Sequence, residues 1–411
     1  MTPVLDRRIL GITRRMALKI GATAVAAMAA PTVLRAQAAS VKVGVLQPLT
    51  GALASDGQAG RLGAELAINA INEAGGIKSL GGANIEPNFG DARSTPEGGS
   101  SEVERMASEN VSAVVGGFAS PICLAATQSA ARYDLPYIVD VGVSDKIVTR
   151  DLKNTFRFAP GASIVSAHAL ENLVKLNDGA GKPVKTVLLI HEDGLFGTGL
   201  AALLQAELPK LGFEVLDSIA HPTPTRDMSN IALAIKAKNP DLVIPSSYYG
   251  EFVLLARTMQ QQHIRPKGGI FAVLNGAASN YRFVKEFPEA AQDVIDTNHW
   301  YDPRNPTALA LKKEVDGMGK FFTYNVALNY SAVLLLADAL ERAASTDHEK
   351  VIAALDTSTF DKHIMPYGPT KFVNGQNMGA APVNTQVQGS DIKVIFPEAF
   401  ADAKAVFPIP A

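Results

Sequence analysis

The sequence predicts an α/β protein made of two similar lobes, each with a parallel sheet flanked by helices. Short apolar runs rich in β-branched residues alternate with amphipathic helical segments from residue 41 onward, which is typical of parallel sheets built from βαβ units. This alternation pauses around Phe158-Ala159-Pro160-Gly161 and then starts again. The chain has 411 residues, which at about 150 residues per domain is enough for two or three domains.

The first half opens with Val41 to Leu46, an apolar run that fits a strand buried on both faces. Apolar residues then recur at helical spacing from Leu62 to Ala74, and Gly75-Gly76 ends that helix. Ser94-Thr95-Pro96-Glu97 has the spacing of a capping box and opens a second helix. The remaining predicted elements of this half are strands at Ile85 to Phe89, Val111 to Val115 and Tyr137 to Val139, and a helix from Leu124 to Arg132.

The second half repeats the pattern and is followed by a helical segment and a short-stranded tail. Its predicted strands are Val184 to Ile190, Phe213 to Leu216, Leu242 to Ile244 and Ile270 to Val273, and its helices lie at about 198–210, 229–238 and 250–262. Pro306 to Ala354 is mostly helical, and Pro366 to Pro410 is rich in proline and glycine. We therefore assign residues 39–160 and 300–358 to lobe 1, and residues 161–299 and 359–411 to lobe 2.

The first 38 residues are predicted to be a cleaved export signal. Ile20 to Leu34 is an apolar stretch of about 15 residues, shorter than the about 20 that span a bilayer. Ala36-Gln37-Ala38 supplies a small-x-small cleavage site. The segment from Thr13 to Lys19 resembles the twin-arginine export motif, with Ala17 where Phe is common. We expect a mature protein that is soluble in the periplasm, since a basic tail on a cytoplasmic protein would not explain the cleavage site.

Charge and cysteine content exclude several classes of protein. The whole chain carries −2, and residues 1–38 carry +5, which leaves −7 for the remainder. The net negative charge of the chain after residue 38 excludes a nucleic-acid partner, because phosphate binding depends on clustered Lys and Arg. Cys123 is the only cysteine, so no intrachain disulfide can form, and we predict that it packs as a small apolar residue. The histidines form no metal-binding motif, and neither a metal nor a cofactor is predicted.

Several short motifs follow one another in a characteristic order. They are Val43-Gly44-Val45-Leu46-Gln47-Pro48-Leu49-Thr50-Gly51, Gly63-Ala64-Glu65-Leu66-Ala67, Ile71-Asn72-Glu73-Ala74-Gly75-Gly76-Ile77, Asp91, Val115-Gly116-Gly117-Phe118-Ala119-Ser120, Phe156-Arg157-Phe158, Phe196-Gly197-Thr198-Gly199-Leu200-Ala201 and Asp241-Leu242-Val243. In this order they resemble the type I periplasmic binding proteins of ABC importers, the leucine/isoleucine/valine-binding family. The resemblance implies two Rossmann-like lobes joined by a three-crossover hinge. It also implies a non-enzymatic, monomeric clamp that binds a small-molecule solute and docks on an inner-membrane ABC permease.

The candidate ligand-binding residues of the first half lie in loops that follow strands, where open parallel sheets bind their ligands. Ser55 and Asp56 follow the first strand, although both residues also suit simple N-capping. In the family, hydroxyls and backbone N–H groups after the third and fourth strands hold the solute carboxylate. Ser120, Gly142 and Ser144 match those positions.

In the second half, the resemblance assigns an aromatic wall to Phe196, Tyr248 and Tyr249. One of the two adjacent tyrosines could instead point into the core, because neighbours in an extended segment face opposite sides. Leucine-type members carry an acidic residue for the solute ammonium group where this chain has Asn275. Either Asp56 or Asp193 replaces that acid, or the ligand has no ammonium group. We expect a branched-chain or other apolar amino acid, and the alternative is an aromatic or aliphatic carboxylate or an amide.

Two other classes of protein are considered. Gly197-Thr198-Gly199-Leu200-Ala201-Ala202 matches a dinucleotide-binding string, with Asp217 about 20 residues later, as an NAD(P)-dependent oxidoreductase would require. However, Glu192 to Phe196 separate it from the preceding strand, where the first glycine should follow tightly. A ligand-sensing receptor module with the same two-lobe clamp is the other alternative.

Overall fold

The computed structural model describes residues 40–276 and 278–410. The predicted export signal and its cleavage site therefore lie outside the described residues. Among the helices of the described ranges, none is both long enough and apolar enough to cross a bilayer.

The first lobe is built from βαβ units. Its elements are β1 (Val41–Gln47), α1 (Ala54–Glu73), β2 (Ile85–Asp91), α2 (Pro96–Ser108), β3 (Val114–Gly116), α3 (Ser120–Ala131), β4 (Tyr137–Val139) and β5 (Thr155–Arg157). The strands β2, β1, β3, β4 and β5 are parallel neighbours in that order. The cap of α2 differs from the prediction, because Thr95 and not Ser94 accepts the hydrogen bond from Gly98 N.

The second lobe repeats this organisation. Its elements are α4 (Ala162–Gly179), β6 (Thr186–Glu192), α5 (Leu195–Glu207), β7 (Glu214–His221), α6 (Ser229–Lys238), β8 (Leu242–Ser246), α7 (Tyr249–Gln261), β9 (Phe271–Val273), α8 (Tyr281–Glu286), α9 (Pro288–Ala291) and β10 (Ile295–Asn298). The strands β7, β6 and β8 are parallel, as are β9 and β10. A parallel bridge between Val243 and Ile270 links these two groups of strands.

The C-terminal part of the chain supplies elements to both sheets. It contains α10 (Pro306–Gly317), α11 (Tyr324–Ala343), α12 (His348–Asp356), β11 (Phe372–Val373), β12 (Gln376–Asn377), β13 (Val383–Gln388) and β14 (Asp391–Phe396). β13 pairs with β10 in the second sheet. The assignment of all of residues 359–411 to lobe 2 is wrong, because Gln376 of β12 pairs with Arg157 in the first sheet.

The long helix α11 packs against α1 of the first lobe. Gly63 allows this close approach, since a Cβ atom at that position would lie 2.3 Å from the carbonyl oxygen of Val326. The chain passes between the two lobes three times, after β5, after β10 and after β12. The predicted α/β fold with mainly parallel sheets and three crossovers is therefore confirmed.

Candidate functional site

A cavity lies where the loops after the strands of both lobes meet. Its wall contains aromatic, small polar and aliphatic side chains: Phe118, Ala119, Ser120, Val141, Val143, Phe196, Ser247, Tyr248, Tyr249, Leu274, Asn275, Asn298, His299 and Tyr324. Most of these residues come directly after β3, β4, β8, β9 or β10. The cavity thus occupies the position that parallel α/β sheets offer to ligands.

Five of the nine candidate residues line this cavity, namely Ser120, Phe196, Tyr248, Tyr249 and Asn275. Both tyrosines do so, because they span the start of α7 and do not follow one another along an extended strand. The ring of Tyr248 also packs against the core of the second lobe, so this tyrosine contacts both the core and the cavity.

The other four candidate residues lie outside the cavity wall. Ser144 lines a second, outer pocket together with Asp193, although the backbone N–H of Ser144 donates to Ser120 Oγ at 3.1 Å. Gly142 lies behind the wall, where a Cβ atom would meet Cys123 Sγ at 2.5 Å. This packing agrees with the structural role predicted for Cys123, which is buried.

Ser55 and Asp56 line a separate pocket beside Arg61 and Arg282. Asp56 is only 6% exposed, and its Oδ1 accepts a hydrogen bond from Asn325 Nδ2 at 3.0 Å. Burial raises the pKa of Asp56 to about 7, and nearby Glu251 adds to this, whereas the Asn325 hydrogen bond and the charge of Arg282 oppose it. Asp56 and Asp193 thus line pockets next to the cavity and are not part of its wall.

The raised pKa of Asp56 predicts a pH-dependent stability. Between pH 5 and pH 7 the folded protein retains a proton on Asp56 that the unfolded chain, with a pKa near 3.8, has released. The free energy of unfolding is therefore expected to fall by about 2 kcal/mol as the pH rises from 5 to 7, because of the titration of Asp56. Urea denaturation at several pH values should show this loss in the wild type but not in Asp56→Asn. The exposed control Asp134→Asn should keep the wild-type profile, and an unchanged profile in Asp56→Asn would contradict the prediction.

Buried polar side chains hold the loops of the first lobe in place. Asp140 accepts hydrogen bonds from Gln47 Nε2 at 2.6 Å and from the backbone N–H groups of Phe118 and Val141 at 3.1 and 2.7 Å. Burial raises the pKa of Asp140 and these hydrogen bonds lower it. Its oxygens are thus occupied in positioning the two loops and do not face the cavity.

Aromatic rings from both lobes meet in the cavity wall. The ring of Tyr248 lies 5.0 Å from that of Phe196 and 5.8 Å from that of Phe118, measured between centroids. Phe118 follows β3 of the first lobe, whereas Phe196 and Tyr248 belong to the second. A planar apolar group could therefore be held by both lobes at once.

Several wall residues were not among the candidates. Asn298 ends β10, His299 follows it, and Tyr324 begins α11. The strand β10 has the sequence Ile-Asp-Thr-Asn, with a single apolar residue. The apolar pattern therefore does not predict this strand or the loop that follows it. Phe118 was inside a recognised loop, but its ring was not assigned a role.

Four polar groups of the wall have no hydrogen-bond partner within the described ranges. They are both amide atoms of Asn275, the hydroxyls of Tyr248 and Tyr249, and Nε2 of His299. Asn275 is 2% exposed and His299 is 1% exposed, and burial lowers the pKa of His299 to about 3, so its imidazole is neutral. Buried polar groups are normally hydrogen-bonded, and a molecule in the cavity could supply the missing partners of these four groups.

The other chemistries suggested by the sequence find no geometric support. Helix α5 begins at Leu195, so Gly197 and Gly199 lie inside it and do not form the turn before the helix that a dinucleotide needs. Gly197 N donates to Glu192 Oε2 at 2.9 Å. Over the described ranges, no three His, Cys, Asp or Glu side chains are grouped as metal ligands.

Comparisons with known proteins agree with this architecture. The family model described as "Periplasmic binding protein" matches residues 40–389. The Leu/Ile/Val-binding protein homolog 7 of Brucella melitensis is 27% identical over 386 residues, which cover 90% of this chain and 94% of the homolog. The branched-chain amino acid transporter substrate-binding protein LivJ of Streptococcus pneumoniae, solved with isoleucine, has a TM-score of 0.73 at 20% identity and covers 87% of this chain and 100% of its own.

A solute-binding protein of an ABC transporter from R. palustris, solved with benzoate, has the same TM-score of 0.73 at 18% identity, and the match covers 87% of this chain and 95% of that one. At these identities the solved structures establish the shared fold. The family match extends over most of the chain. This protein therefore belongs to the periplasmic binding protein family.

Proposed function

We propose that this protein is the periplasmic solute-binding component of an ABC importer and that its lobes close on a small carboxylate-bearing solute. A solute-binding role follows from the family. The observation that supports the rest is the set of unpartnered buried polar groups that meet in one cavity between loops of both lobes. A solute that contacts both lobes stabilises the closed form, which a permease can then recognise.

The carboxylate is proposed to lie between the first turns of α3 and α7. Ala119 and Ser120 at the start of α3, and Tyr248 and Tyr249 at the start of α7, line the cavity. Neither helix has a side-chain hydrogen bond at its N-cap, so backbone N–H groups there are available to an anion. Because relatives are named for Leu, Ile and Val and solved neighbours hold isoleucine or benzoate, amino acids and aromatic acids are both candidate solutes.

Titration of the purified protein with L-leucine, L-phenylalanine and benzoate tests this function. Trp300 is the only tryptophan and directly follows His299 of the cavity wall, so its fluorescence should change on binding. A solute at 100 times its Kd should also stabilise the fold by about 2.7 kcal/mol. If none of the three binds, and native mass spectrometry of protein isolated from the periplasm finds no co-purified solute, the proposed function is wrong.

The two loop serines are expected to differ in their effect on binding. Ser120→Ala should weaken binding of the tightest of the three solutes about tenfold, because the Ser120 hydroxyl lines the cavity and one hydrogen bond to a charged group contributes about 1.5–3 kcal/mol. Ser144→Ala should change the Kd less than twofold, since that side chain lines the outer pocket. Calorimetric titration of both variants measures the difference. Equal losses in the two variants would place the solute in the outer pocket.

A further inference from the structure

The cavity wall carries no charged side chain among the described residues. Its fourteen lining residues include neither a carboxylate nor a Lys or Arg. The one titratable group with a pKa normally near neutrality, His299, is held neutral by burial, which lowers its pKa to about 3. The net charge of a bound solute must therefore be balanced by dipoles and hydrogen bonds alone.

The carboxylates near the wall are already hydrogen-bonded and line no part of it. Asp56 is near enough to act on the charges of Tyr248, Tyr249 and Tyr324, but it accepts a hydrogen bond from Asn325 and lines a neighbouring pocket. Asp296 lies behind Asn275 and accepts hydrogen bonds from Asn275 N at 3.3 Å, Gly276 N at 3.0 Å and Asn298 Nδ2 at 3.0 Å. Asp140 binds Gln47 and two backbone N–H groups. An ammonium group in this cavity would thus have no carboxylate counterion, and a buried unpaired charge is strongly unfavourable.

A carboxylate, in contrast, would meet several donors. The amide of Asn275, the two tyrosine hydroxyls and the uncapped starts of α3 and α7 can all donate to it. Helix N-termini also attract negative charge through the helix dipole. The second part of the solute is constrained by five aromatic rings in the wall, those of Phe118, Phe196, Tyr248, Tyr249 and Tyr324, which suit a planar apolar body.

We propose that the solute is an aromatic monocarboxylate that carries no ammonium group. This inference rests on the proposed function and specifies the class of solute for the same cavity. It assigns Asn275 as the residue that decides between the two classes of acid, because its uncharged amide offers donors and an acceptor where an amino acid would require a negative charge.

A matched pair of solutes tests the inference. 3-Phenylpropanoate and L-phenylalanine differ only in the α-ammonium group, so the ratio of their Kd values isolates its effect. Calorimetric titration should show 3-phenylpropanoate binding at least tenfold more tightly. Tighter binding of L-phenylalanine would overturn the inference while leaving the proposed solute-binding function intact. If neither compound binds, the proposed class of solute is wrong. In that case, a co-purified solute of another class, found by native mass spectrometry, would show that the proposed solute-binding function still holds.

The variant Asn275→Asp provides the converse test. A carboxylate at this position should weaken 3-phenylpropanoate binding at least tenfold and strengthen L-phenylalanine binding, so that the preference moves toward the amino acid. Asn110→Asp, at an exposed position in the first lobe, adds the same charge away from the cavity and should leave the ratio of the two Kd values unchanged. An unchanged ratio in a folded Asn275→Asp protein, as judged by circular dichroism, would overturn the role assigned to Asn275.

Discussion

Replacing Arg157 with methionine is expected to destabilise the protein by about 3–5 kcal/mol and to weaken solute binding. Arg157 is 1% exposed, and its Nη1 donates to the carbonyl oxygens of Val143 and Ser144 at 2.8 and 2.7 Å. Its Nε donates to Gln376 Oε1 at 2.7 Å, and Nη2 lies 3.1 Å from Asp145 Oδ1. One guanidinium thus connects β5, β12 and the loop whose Val141 and Val143 line the cavity. Without it, several buried acceptors lose their donors.

Two variants control this experiment. Arg157→Lys keeps the charge but lacks the planar guanidinium that reaches several acceptors. We therefore expect its free energy of unfolding to lie between those of the wild type and Arg157→Met. Arg132→Met removes an arginine that is 63% exposed and pairs with Glu104 at the surface, and should cost less than about 1 kcal/mol. Chemical denaturation gives the three free energies of unfolding, and calorimetry gives the Kd for each folded variant. Similar free energies for Arg157→Met and Arg132→Met would rule out this role for Arg157.

Most of the fold could be predicted from the sequence because its strands are short, apolar and separated by amphipathic helices. Among the elements that were not predicted, α4 and β10 were missed for different reasons. Helix α4 has buried residues at helical spacing, including Val165, Ala169 and Leu173, so its signal was present. The strand β10 contains Asp296, Thr297 and Asn298, all buried. Their polarity is compensated only by tertiary contacts, such as the hydrogen bond from Asn384 Nδ2 to Thr297 Oγ1 at 2.7 Å, which no local pattern shows.

Site residues could be predicted from the sequence only in loops that directly follow a recognisable strand and contain suitable polar or aromatic side chains. Ser120, Tyr248 and Asn275 follow strands that the apolar pattern identified, and they line the cavity. Ser55 and Asp56 also follow a recognised strand, but they open α1 toward a different pocket. Which side of a helix start faces the other lobe depends on how the two lobes pack. This information lies in contacts between distant segments, such as the hydrogen bond between Asn325 and Asp56.

Tyr248→Ala is expected to weaken binding of the solute at least 100-fold, an effect of about 3 kcal/mol. The Tyr248 ring packs against Phe118 of the first lobe and Phe196 of the second, so its removal takes away the ring that joins the aromatic side chains of the two lobes. Tyr248→Phe keeps the ring and should weaken binding only about tenfold, through loss of one hydrogen bond to the carboxylate. Titration with 3-phenylpropanoate and with benzoate measures both changes.

The same Tyr248→Phe variant should change the stability of the solute-free protein in the opposite direction. The Tyr248 hydroxyl is buried without a partner in the described part of the chain, and removing an unsatisfied polar group relieves a penalty of about 1 kcal/mol. We therefore expect a higher free energy of unfolding together with a higher Kd. Tyr133→Phe alters a tyrosine that is 46% exposed and should change neither quantity. A hydroxyl with a purely structural role would give lower stability in Tyr248→Phe and an unchanged Kd.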